Sequence, residues 1–576
     1  MIDKYYQREL SKLRDLASEF AKTHPALAPM LSGRSSDPDV ERLLEGTAFL
    51  SGMIYEKLDN DFPEIVHGLV KLIFPHYLRP IPSATLIRFT PKASLRETIT
   101  IKKGTSIKSV KSQGESCTFT TSYDVELSPL SVASVSFSTP GGGSGLLQIR
   151  LRLRGMDLAS FKPDSIRFHL AGSFSDASKR YMFFFNRLRH VRIKSRDGCS
   201  ADLGVSAVNP VGFNSENYII PFPDRSFPGY RILQEFFILP EKFLFFDING
   251  LGQWKKRGTD PEFTLEFEFA NLPSELPPMR EEHFQLFVSP ALNLFHYQAD
   301  PILLDHTKKE YPIRVGGENP EHYQIYSINK VTGLAQGTLK KREYLPFELF
   351  NPQVETTPVY ALNHRLSPLD AKAEIHLSVA YPGGRPDSDL ETLSLEIMCT
   401  NASLPDSLGV GDVRIPTYNS PELAEFSNII PPTAPVQPPL GRNMLWRLLS
   451  HLFLNYLSVA TAENLRSILK LYIFTETTNR AAVLANTQRV EAISEIKVKA
   501  SDQFVNGQLL RGQEILIRLD RQAFTGNGDM FLFGSVLDVF LGNYAAVNSY
   551  TRLTIEETLR KEVYTWPIRL GDRVLL

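Results

Sequence analysis

The chain has 576 residues, of which 42% are hydrophobic and 22% charged, and 63 Lys and Arg residues nearly balance 64 Asp and Glu residues. This length predicts about three to five compact units, with enough apolar residues for sizeable cores. The formal net charge of -1 argues against a protein whose main task is to coat nucleic acid, because neutralising phosphates needs an excess of cations.

No secretion or membrane signal is visible in the sequence. The first ten residues, MIDKYYQREL, contain no apolar signal-peptide core, and no apolar run approaches the length of a bilayer-spanning helix. The three cysteines are far apart and odd in number, which predicts neither a disulfide framework nor a zinc site. These features favour a soluble, cytoplasmic protein.

Residues 1–82 are predicted to form a helical N-terminal arm. In its first helix, apolar side chains recur at alternating steps of four and three residues, at Tyr6, Leu10, Leu13, Ala17 and Phe20. Pro25 disfavours helix at the preceding residue, so this helix is predicted to end near His24. An amphipathic stripe must be buried against something, either the chain's own β lobes or other chains. These five residues are therefore the candidate partner interface.

Two further helices and a stiff exit are predicted in the arm. Pro38 at the first helical position sacrifices no hydrogen bond, so a second helix is expected to begin there with Asp37 as its cap. Asp61 is expected to cap a third helix that runs to about Ile73. Three prolines within residues 75–82 predict an extended, stiff connection to the next region.

Residues 83–430 are predicted to be rich in antiparallel strands, because apolar and polar residues alternate there. The clearest alternating segments are Thr98–Ile101, Leu147–Arg154, Phe263–Phe269 and Glu374–Val379. The region is too long for one core, so two β lobes are expected within it. The glycine-rich segment Pro140–Gly145 is expected to be a loop that separates them.

Residues 431–440 read as a Pro-rich linker, and residues 441–576 as a helical hairpin followed by an α+β domain. A wide apolar helical face between Leu445 and Leu457 precedes a short helix through Leu465, Leu469 and Tyr472. The predicted fold class is thus multidomain and mainly β, with a helical N-terminal arm, two antiparallel β lobes and a C-terminal α+β domain.

No catalytic, cofactor-binding or metal-binding motif is found, so no catalytic residue, cofactor or metal is predicted and the chain is not expected to be an enzyme. The glycines of Pro140–Gly145 lack the lysine and the following helix of a phosphate-binding loop. The densest histidines, His283, His296 and His306, have spacings that no compact zinc loop uses.

One basic segment leaves a second function open. Residues 179–196 carry seven Lys and Arg side chains, interleaved with Tyr181 and three phenylalanines: Lys179, Arg180, Arg187, Arg189, Arg192, Lys194 and Arg196. Arg150, Arg152 and Arg154 line one face of a predicted strand. A solvated strand face is the favoured interpretation, with an acidic protein partner next and a nucleic-acid-binding module as an alternative. A β-sandwich hydrolase acting on a polymer is the other alternative, and it would need two carboxylates at catalytic separation.

Several segments resemble the TssF (ImpG/VasA) family of type VI secretion baseplate subunits. The most specific are Asp37–Gly46 and Pro75–Ser83, and further similar blocks are Tyr5–Pro25, Pro240–Asp247, Asn293–Phe295, Cys399–Asn401, Leu454–Ser458 and Leu532–Leu537. The resemblance spans nearly the whole chain in order. Two departures are Met398, where the family has a histidine before the cysteine, and Tyr550, where it has phenylalanine.

The resemblance implies a non-catalytic wedge subunit. Two copies of such a subunit clasp one TssG, with TssE and TssK attached, and the wedges ring a central hub and nucleate the contractile sheath for effector delivery. By analogy with phage wedges, the N-terminal helices join a trimeric helical bundle, a role that would fall to Tyr6, Leu10, Leu13, Ala17 and Phe20. The resemblance implies no nucleic acid partner, and contact with the cytoplasmic face of the bacterial inner membrane only through the membrane complex.

Overall fold

The described part of the chain is mainly β, with helices at its start, within its central region and in its last third. The computed structural model describes residues 2–24, 38–141, 143–223, 226–272, 276–317, 319–335, 341–347, 357–367, 373–381, 390–440, 461–475, 478–505 and 507–571. The helical face predicted between Leu445 and Leu457 lies outside these residues. Within them, a helical N-terminal region, several central sheets and a C-terminal α+β region confirm the predicted fold class.

Within the described residues there are seven α-helices. They are α1 (Ile2–Thr23), α2 (Pro38–Ile73), α3 (Phe174–Arg187), α4 (Pro228–Ile238), α5 (Ala462–Leu471), α6 (Arg480–Glu491) and α7 (Asn527–Gly542). Short 3-10 turns are Pro75–Leu78, Val205–Ala207, Ser215–Asn217, Pro240–Phe243, Leu251–Gln253, Glu281–His283, Pro320–His322, Leu404–Ser407 and Arg521–Ala523.

The strands of the first half of the chain are β1 (Ala84–Pro91), β2 (Ile99–Ile101), β3 (Ser106–Ser112), β4 (Glu115–Thr121), β5 (Val125–Leu127), β6 (Leu130–Gly141), β7 (Ser144–Leu153), β8 (Ile166–Leu170), β9 (Leu188–Ser195), β10 (Ser200–Asp202), β11 (Val208–Val211), β12 (Phe245–Ile248), β13 (Glu262–Phe269), β14 (Phe284–Leu286) and β15 (Val288–Leu292). Those of the second half are β16 (Phe295–Gln298), β17 (Ile302–Leu304), β18 (Tyr311–Pro312), β19 (Gln324–Ala335), β20 (Lys341–Pro346), β21 (Val359–Leu366), β22 (Ala373–Ala380), β23 (Glu391–Thr400), β24 (Val413–Pro416), β25 (Ala424–Asn428), β26 (Ile493–Val505), β27 (Gln508–Leu519), β28 (Tyr550–Glu557), β29 (Val563–Thr565) and β30 (Arg569–Leu570). All four alternating segments singled out in the sequence fall on strands.

These strands pair into several sheets, most of them antiparallel. A six-stranded sheet has the order β24-β3-β4-β15-β1-β25, and β2 pairs with β5. A five-stranded sheet, β10-β9-β13-β7-β6, and a four-stranded sheet, β11-β12-β8-β14, both contribute aromatic side chains that meet α3. The largest sheet runs β16-β23-β19-β20-β21-β22-β18, with β17 also on β23. The C-terminal sheet is β26-β27-β28-β29, with β30 on β28.

Helix α2 is longer than predicted. It begins at Pro38 as expected, but its backbone stays helical through Asp61 and Pro63 to Ile73. The prediction of a separate third helix capped by Asp61 is therefore wrong. Proline inside a helix removes one hydrogen bond at a cost of about 3 kcal/mol, and packing of the last turns against the body, where Val70 is buried, favours continuation.

The proline-rich stretch 431–440 lies against the exit from the arm. Ile81 and Val436 exchange two backbone hydrogen bonds of 2.8 and 3.0 Å, and the Thr433 amide donates to the Ala84 carbonyl at 2.8 Å. The arm exit itself is a 3-10 turn over Pro75–Leu78 before the chain becomes extended. Both segments are thus held in place by each other.

The segment Pro140–Gly145 does not separate two lobes, so that expectation is wrong. Gly141 pairs with Ser144, and the segment joins β6 to β7 within one sheet, with residue 142 outside the described part. The turn between β6 and β7 is short because the two strands stay paired up to Gly141 and Ser144.

The described residues bury three separate hydrophobic cores. One lies under the six-stranded sheet, and a second lies in the β16–β23 sheet. The main core runs from Val70 near the arm exit through α3 and α4 to the C-terminal sheet. Every residue of α7 except its first is buried, so this helix is the apolar centre shared by the central and C-terminal regions.

Candidate interaction surfaces

The structure divides the predicted interface stripe of α1 between two faces. Leu10 and Ala17 are buried, Tyr6 and Leu13 are half-buried, and Phe20 is exposed with 48% of its surface accessible. Helix α2 is the element packed against α1, so the buried members of the stripe face α2. The stripe is thus partly used within the chain.

Helices α1 and α2 form an antiparallel hairpin. The Arg8 guanidinium lies 5.2 Å from the ring of Tyr55, whereas Arg14, further along α1, forms an ion pair with Glu41, earlier in α2. A Cβ atom added to Gly52 would lie only 3.1 Å from the Tyr6 amide nitrogen, so the backbone of α1 passes directly over this glycine. The hairpin therefore depends on close backbone approach.

Small residues form much of the contact between the two helices, together with Tyr5 and Leu10, whereas several bulky side chains remain exposed. The buried positions include Ala17, Ala21, Ala48 and Gly52. Sequence periodicity missed this arrangement because it assumes that the largest apolar side chains are buried. The pairs of small residues at a spacing of four on each helix were the available signal.

The bulky residues define two apolar surfaces of the arm. We call Leu43, Leu50 and Ile54 the α2 ridge; they are 71%, 62% and 60% exposed. Leu13, Leu16 and Phe20 form the α1 flank. The steps of seven and four along the α2 ridge match one seam of a coiled coil, so the chemistry of this surface suits an apolar face of another helix. Full burial of one such side chain contributes about 1.5–3 kcal/mol.

The arm is fixed to the body by a cluster of aromatic residues at its exit. His76 Nε2 lies 3.2 Å from the Tyr472 hydroxyl, and the Tyr77 hydroxyl donates to the Leu471 carbonyl at 2.7 Å. The Tyr230 and Tyr544 hydroxyls are 3.1 Å apart in the same cluster. Burial raises the pKa of Tyr472, which keeps its hydroxyl protonated. We call residues 74–79 the arm root.

Two arginines of the basic strand faces are paired with glutamates on the strand between them. Strand β13 lies between β7 and β9, and Arg152 pairs with Glu262 at 2.5 Å while Arg192 lies 3.8 Å from Glu266. At the sheet edge, His190 Nε2 is 2.6 Å from Asp202. This arrangement supports the solvated-face interpretation.

The aromatic residues of the basic segment are not available to stack on bases. Tyr181, Phe183 and Phe184 belong to α3 and are buried, with Phe184 4.6 Å from Phe246 and 5.2 Å from Phe267 between ring centroids. Arg180 is buried as well and donates to the carbonyls of Ala171 and Pro278. These aromatic side chains belong to the main core.

Among the described residues, no group of three or more His, Cys, Asp or Glu side chains is arranged to hold a metal ion. Of the three histidines singled out in the sequence, His283 is buried, whereas His296 and His306 are exposed. No helix in the described ranges is long and apolar enough to cross a membrane.

Comparison with known proteins shows which family has this sequence and architecture. Residues 1–573 match the family described as "Type VI secretion system, TssF". The chain belongs to the TssF family. It is 29% identical to "Type VI secretion system component TssF1" of Pseudomonas aeruginosa over 618 aligned positions, which cover 99% of this chain and 98% of that protein.

Two solved structures share the fold of this TssF-family chain. One is the "Structure of the type VI secretion system TssK-TssF-TssG baseplate subcomplex revealed by cryo-electron microscopy", with a TM-score of 0.79, 29% identity and coverage of 92% of this chain and 98% of that one. The other is "The baseplate complex from the type VI secretion system", with a TM-score of 0.62, 22% identity and full coverage of both chains. The family resemblance stated from the sequence is confirmed.

Of the two departures from the family pattern, Met398 is half-buried and Tyr550 is buried. Cys399, after Met398, is buried in the β16–β23 sheet, and burial raises the pKa of its thiol to about 12. Tyr550 is buried, and its hydroxyl donates to the Ser501 carbonyl at 3.1 Å. Both positions serve packing.

Proposed function

We propose that this TssF-family chain is a structural subunit of the type VI secretion baseplate that assembles with TssG- and TssK-type subunits. The similarity to a TssF chain solved in a TssK-TssF-TssG subcomplex, over 92% of the present chain, supports these partners. A second copy of the chain, TssE and the baseplate hub are further partners implied by the family resemblance. The protein acts by holding neighbours together and nucleating the sheath, without catalysis.

The observation that carries the proposal is the α2 ridge, an apolar seam with coiled-coil spacing that the chain's own described residues leave exposed. Within the assembly, α1 and α2 form part of a helical bundle to which other subunits contribute helices. Of the five residues predicted for this interface, Phe20, Leu13 and Tyr6 take part at the surface. Leu10 and Ala17 act from inside the hairpin, where they hold α1 in place.

The assembled baseplate lies in the cytoplasm, at the inner face of the bacterial inner membrane, and touches the membrane only through other components. Arg152 and Arg192 of the basic sheet face are paired with glutamates, which favours protein partners over nucleic acid. The hydrolase and nucleic-acid alternatives are supported by no surface described above.

The bundle assignment is tested by the double substitution Leu50→Asp/Ile54→Asp on the α2 ridge. Two charges in an apolar interface oppose association because each would be buried without a partner. We expect recovery of the TssG-type partner, on co-expression and affinity purification, to fall at least about tenfold, which corresponds to 1.4 kcal/mol.

The matched control is Val410→Asp, since Val410 is 61% exposed, like Leu50, but lies outside the arm. It should leave recovery unchanged. Leu10→Asp should also weaken the complex, but by opening the α1–α2 hairpin, while the β lobes stay folded. Equal recovery of the partner with the double variant and with Val410→Asp would refute the ridge as an interface.

A further inference from the structure

A cleft beside the arm root has the features of a binding site that the proposed bundle does not use. Its volume is about 380 Å³, and it lies where the arm exit, the loop before α4 and the β16–β23 sheet meet. The polar and aromatic side chains that line it are Arg79, Phe222, His296, Tyr326, Ser327 and Asn329. We call it the arm-root cleft.

Arg79 is oriented in this cleft by the Tyr326 ring and the Pro221 carbonyl. Its guanidinium carbon lies 5.2 Å from the centre of the Tyr326 ring, and its Nη1 donates to the Pro221 carbonyl at a long 3.4 Å. The Tyr326 hydroxyl donates to the same carbonyl at 2.5 Å, which fixes the ring beneath the guanidinium. Guanidinium has five N–H donors, and Arg79 forms no ion pair with any described residue.

The surroundings of Arg79 are positive. None of the residues that line the cleft is Asp or Glu. Behind the Phe222 wall, the Arg231 guanidinium carbon lies 5.4 Å from the Phe222 ring, and Arg231 shares the carboxylate of Glu235 with the buried Lys242. Arg231 thus places a second guanidinium behind this wall, on the same side of the cleft as Arg79.

The nearby sheet adds hydrogen-bond donors to the cleft. His296 Nδ1 lies 3.4 Å from the Asn329 amide nitrogen, and the Ser327 hydroxyl donates to Asn329 Oδ1 at 3.3 Å. Glu396, two residues along β23 from Met398 of the cleft lining, stands opposite Lys330 in the β19–β23 register, while the Lys330 ammonium lies 3.9 Å from Glu343. The cleft therefore combines an oriented cation with amide and imidazole groups at its rim.

We propose that the arm-root cleft binds a carboxylate carried by a protein segment of a neighbouring baseplate subunit, either an Asp or Glu side chain or a chain terminus. Two carboxylate oxygens match the planar fork of a guanidinium, which gives short, charge-assisted hydrogen bonds. Pro221, Phe222 and Pro223 form an apolar wall against which the backbone of such a segment packs. The inference rests on the proposed function, because it supplies the partner.

The test places a photocrosslinking amino acid at Asn329 in the full chain and reconstitutes the complex with the TssG- and TssK-type subunits. Arg79→Gln keeps an N–H donor for the Pro221 carbonyl but removes the charge. Arg314→Gln is the matched control, because Arg314 is an exposed arginine of the same lobe outside the cleft. We expect one segment with a carboxylate to be captured, its yield to fall at least about tenfold with Arg79→Gln, and no change with Arg314→Gln.

Reversing the charge at residue 79 gives the decisive experiment. Arg79→Glu should abolish the crosslink, and replacing the captured acidic residue by Lys should restore it. A complex that assembles normally with no crosslink at Asn329, a captured segment without a carboxylate, or a yield unaffected by Arg79→Gln would each overturn the inference while leaving the proposed function intact.

A separate measurement tests whether the ligand is a free anion instead of a protein carboxylate. If acetate or phosphate raises the melting temperature of the isolated chain, but not of Arg79→Gln, and no protein is captured in the complex, the partner assignment is overturned. If the wild-type chain forms no complex with the partner subunits, the proposed function itself fails, and the inference with it.

Discussion

His169 shows how burial alone gives a single residue a pH-dependent role in stability. It lies in β8, 3% exposed, with its ring 4.5 Å from that of Phe245. Burial lowers the pKa of His169 to about 3, and the nearby positive charge of Arg180 acts in the same direction. The side chain is therefore neutral in the folded protein throughout the physiological range.

His169→Phe is predicted to make the fold less sensitive to acid. In the unfolded chain His169 takes up a proton near pH 6.5, whereas in the folded chain it does so only near pH 3. Because the unfolded state binds more protons in this window, stability falls as the pH drops below 6.5, by about 2 kcal/mol between pH 7 and pH 5. The variant lacks this loss.

Urea denaturation of both proteins at pH 7 and pH 5, followed by a probe in the central sheets, measures the difference. The wild-type protein should lose about 2 kcal/mol more than His169→Phe between the two conditions. Parallel losses in the two proteins would show that His169 is already protonated in the folded state or accessible to solvent.

For single residues, the sequence reveals little about which charged side chains are buried. Glu235 and Lys242 are both fully buried and form an ion pair, and Glu235 also accepts hydrogen bonds from the amides of Ile219 and Ile220. Nothing in their spacing of seven residues distinguishes them from surface charges. The pair depends on α4 and the loop before it folding together, which is tertiary information that a local pattern does not contain.

Sequence periodicity predicted whether a segment is a helix or a strand better than it predicted which face of a helix is buried. The heptad-like spacing correctly predicted α1, and alternation correctly predicted strands such as β7 and β13. The orientation of α1 and α2 could not be predicted in the same way. Helices that meet through residues as small as Ala17, Ala48 and Gly52 leave several leucines exposed, although Leu10 is buried. The site residues of the arm therefore stay a prediction, whereas its helices are confirmed.

Gly52→Leu is predicted to detach α1 from α2. A side chain at residue 52 would meet the backbone of Tyr5 and Tyr6, with the closest atom 3.1 Å from the Cβ position. A backbone contact cannot move aside as a flexible side chain does, so the helices must separate. Hydrogen exchange of the amides of residues 5–21 should then rise towards that of an isolated helix, which is marginal in water at this length.

Gly46→Leu is the matched control, since Gly46 lies in the same helix with no atom within 4 Å of its Cβ position. This substitution should leave exchange in α1 unchanged and stabilise α2 by up to about 1 kcal/mol through helix propensity. Similar exchange in α1 for both variants would mean that the hairpin contact at Gly52 is not tight.

The sequence predicts that the molecule is divided into an arm, a β-rich region, a linker and a C-terminal domain. In the structure, one hydrophobic core extends across these predicted boundaries. Composition placed a boundary at residues 431–440, yet this segment is hydrogen-bonded to residues 81–84. Helix α7, from the C-terminal region, packs on α3 and α4 of the central region as well as on β28. Such contacts between distant segments have no local signature, so the boundaries 82, 430 and 440 remain a prediction.

Leu537→Ala, in the middle of α7, is predicted to loosen both the central and the C-terminal regions. Leu537 is fully buried in the main core, and truncating such a residue costs about 2–5 kcal/mol. Because α7 is common to both regions, hydrogen exchange should increase in α3, in α4 and in the arm root as well as in the C-terminal sheet.

Leu395→Ala provides the comparison, since Leu395 is equally buried but belongs to the core of the β16–β23 sheet. Its cost should be similar, but faster exchange should be confined to that sheet. If Leu537→Ala instead leaves exchange in α3 and α4 at the wild-type rate, residues 441–576 unfold as an independent domain. The arm would then be fixed to a body of two separable parts, and force applied at the arm root could not reach the C-terminal sheet through a single packed core.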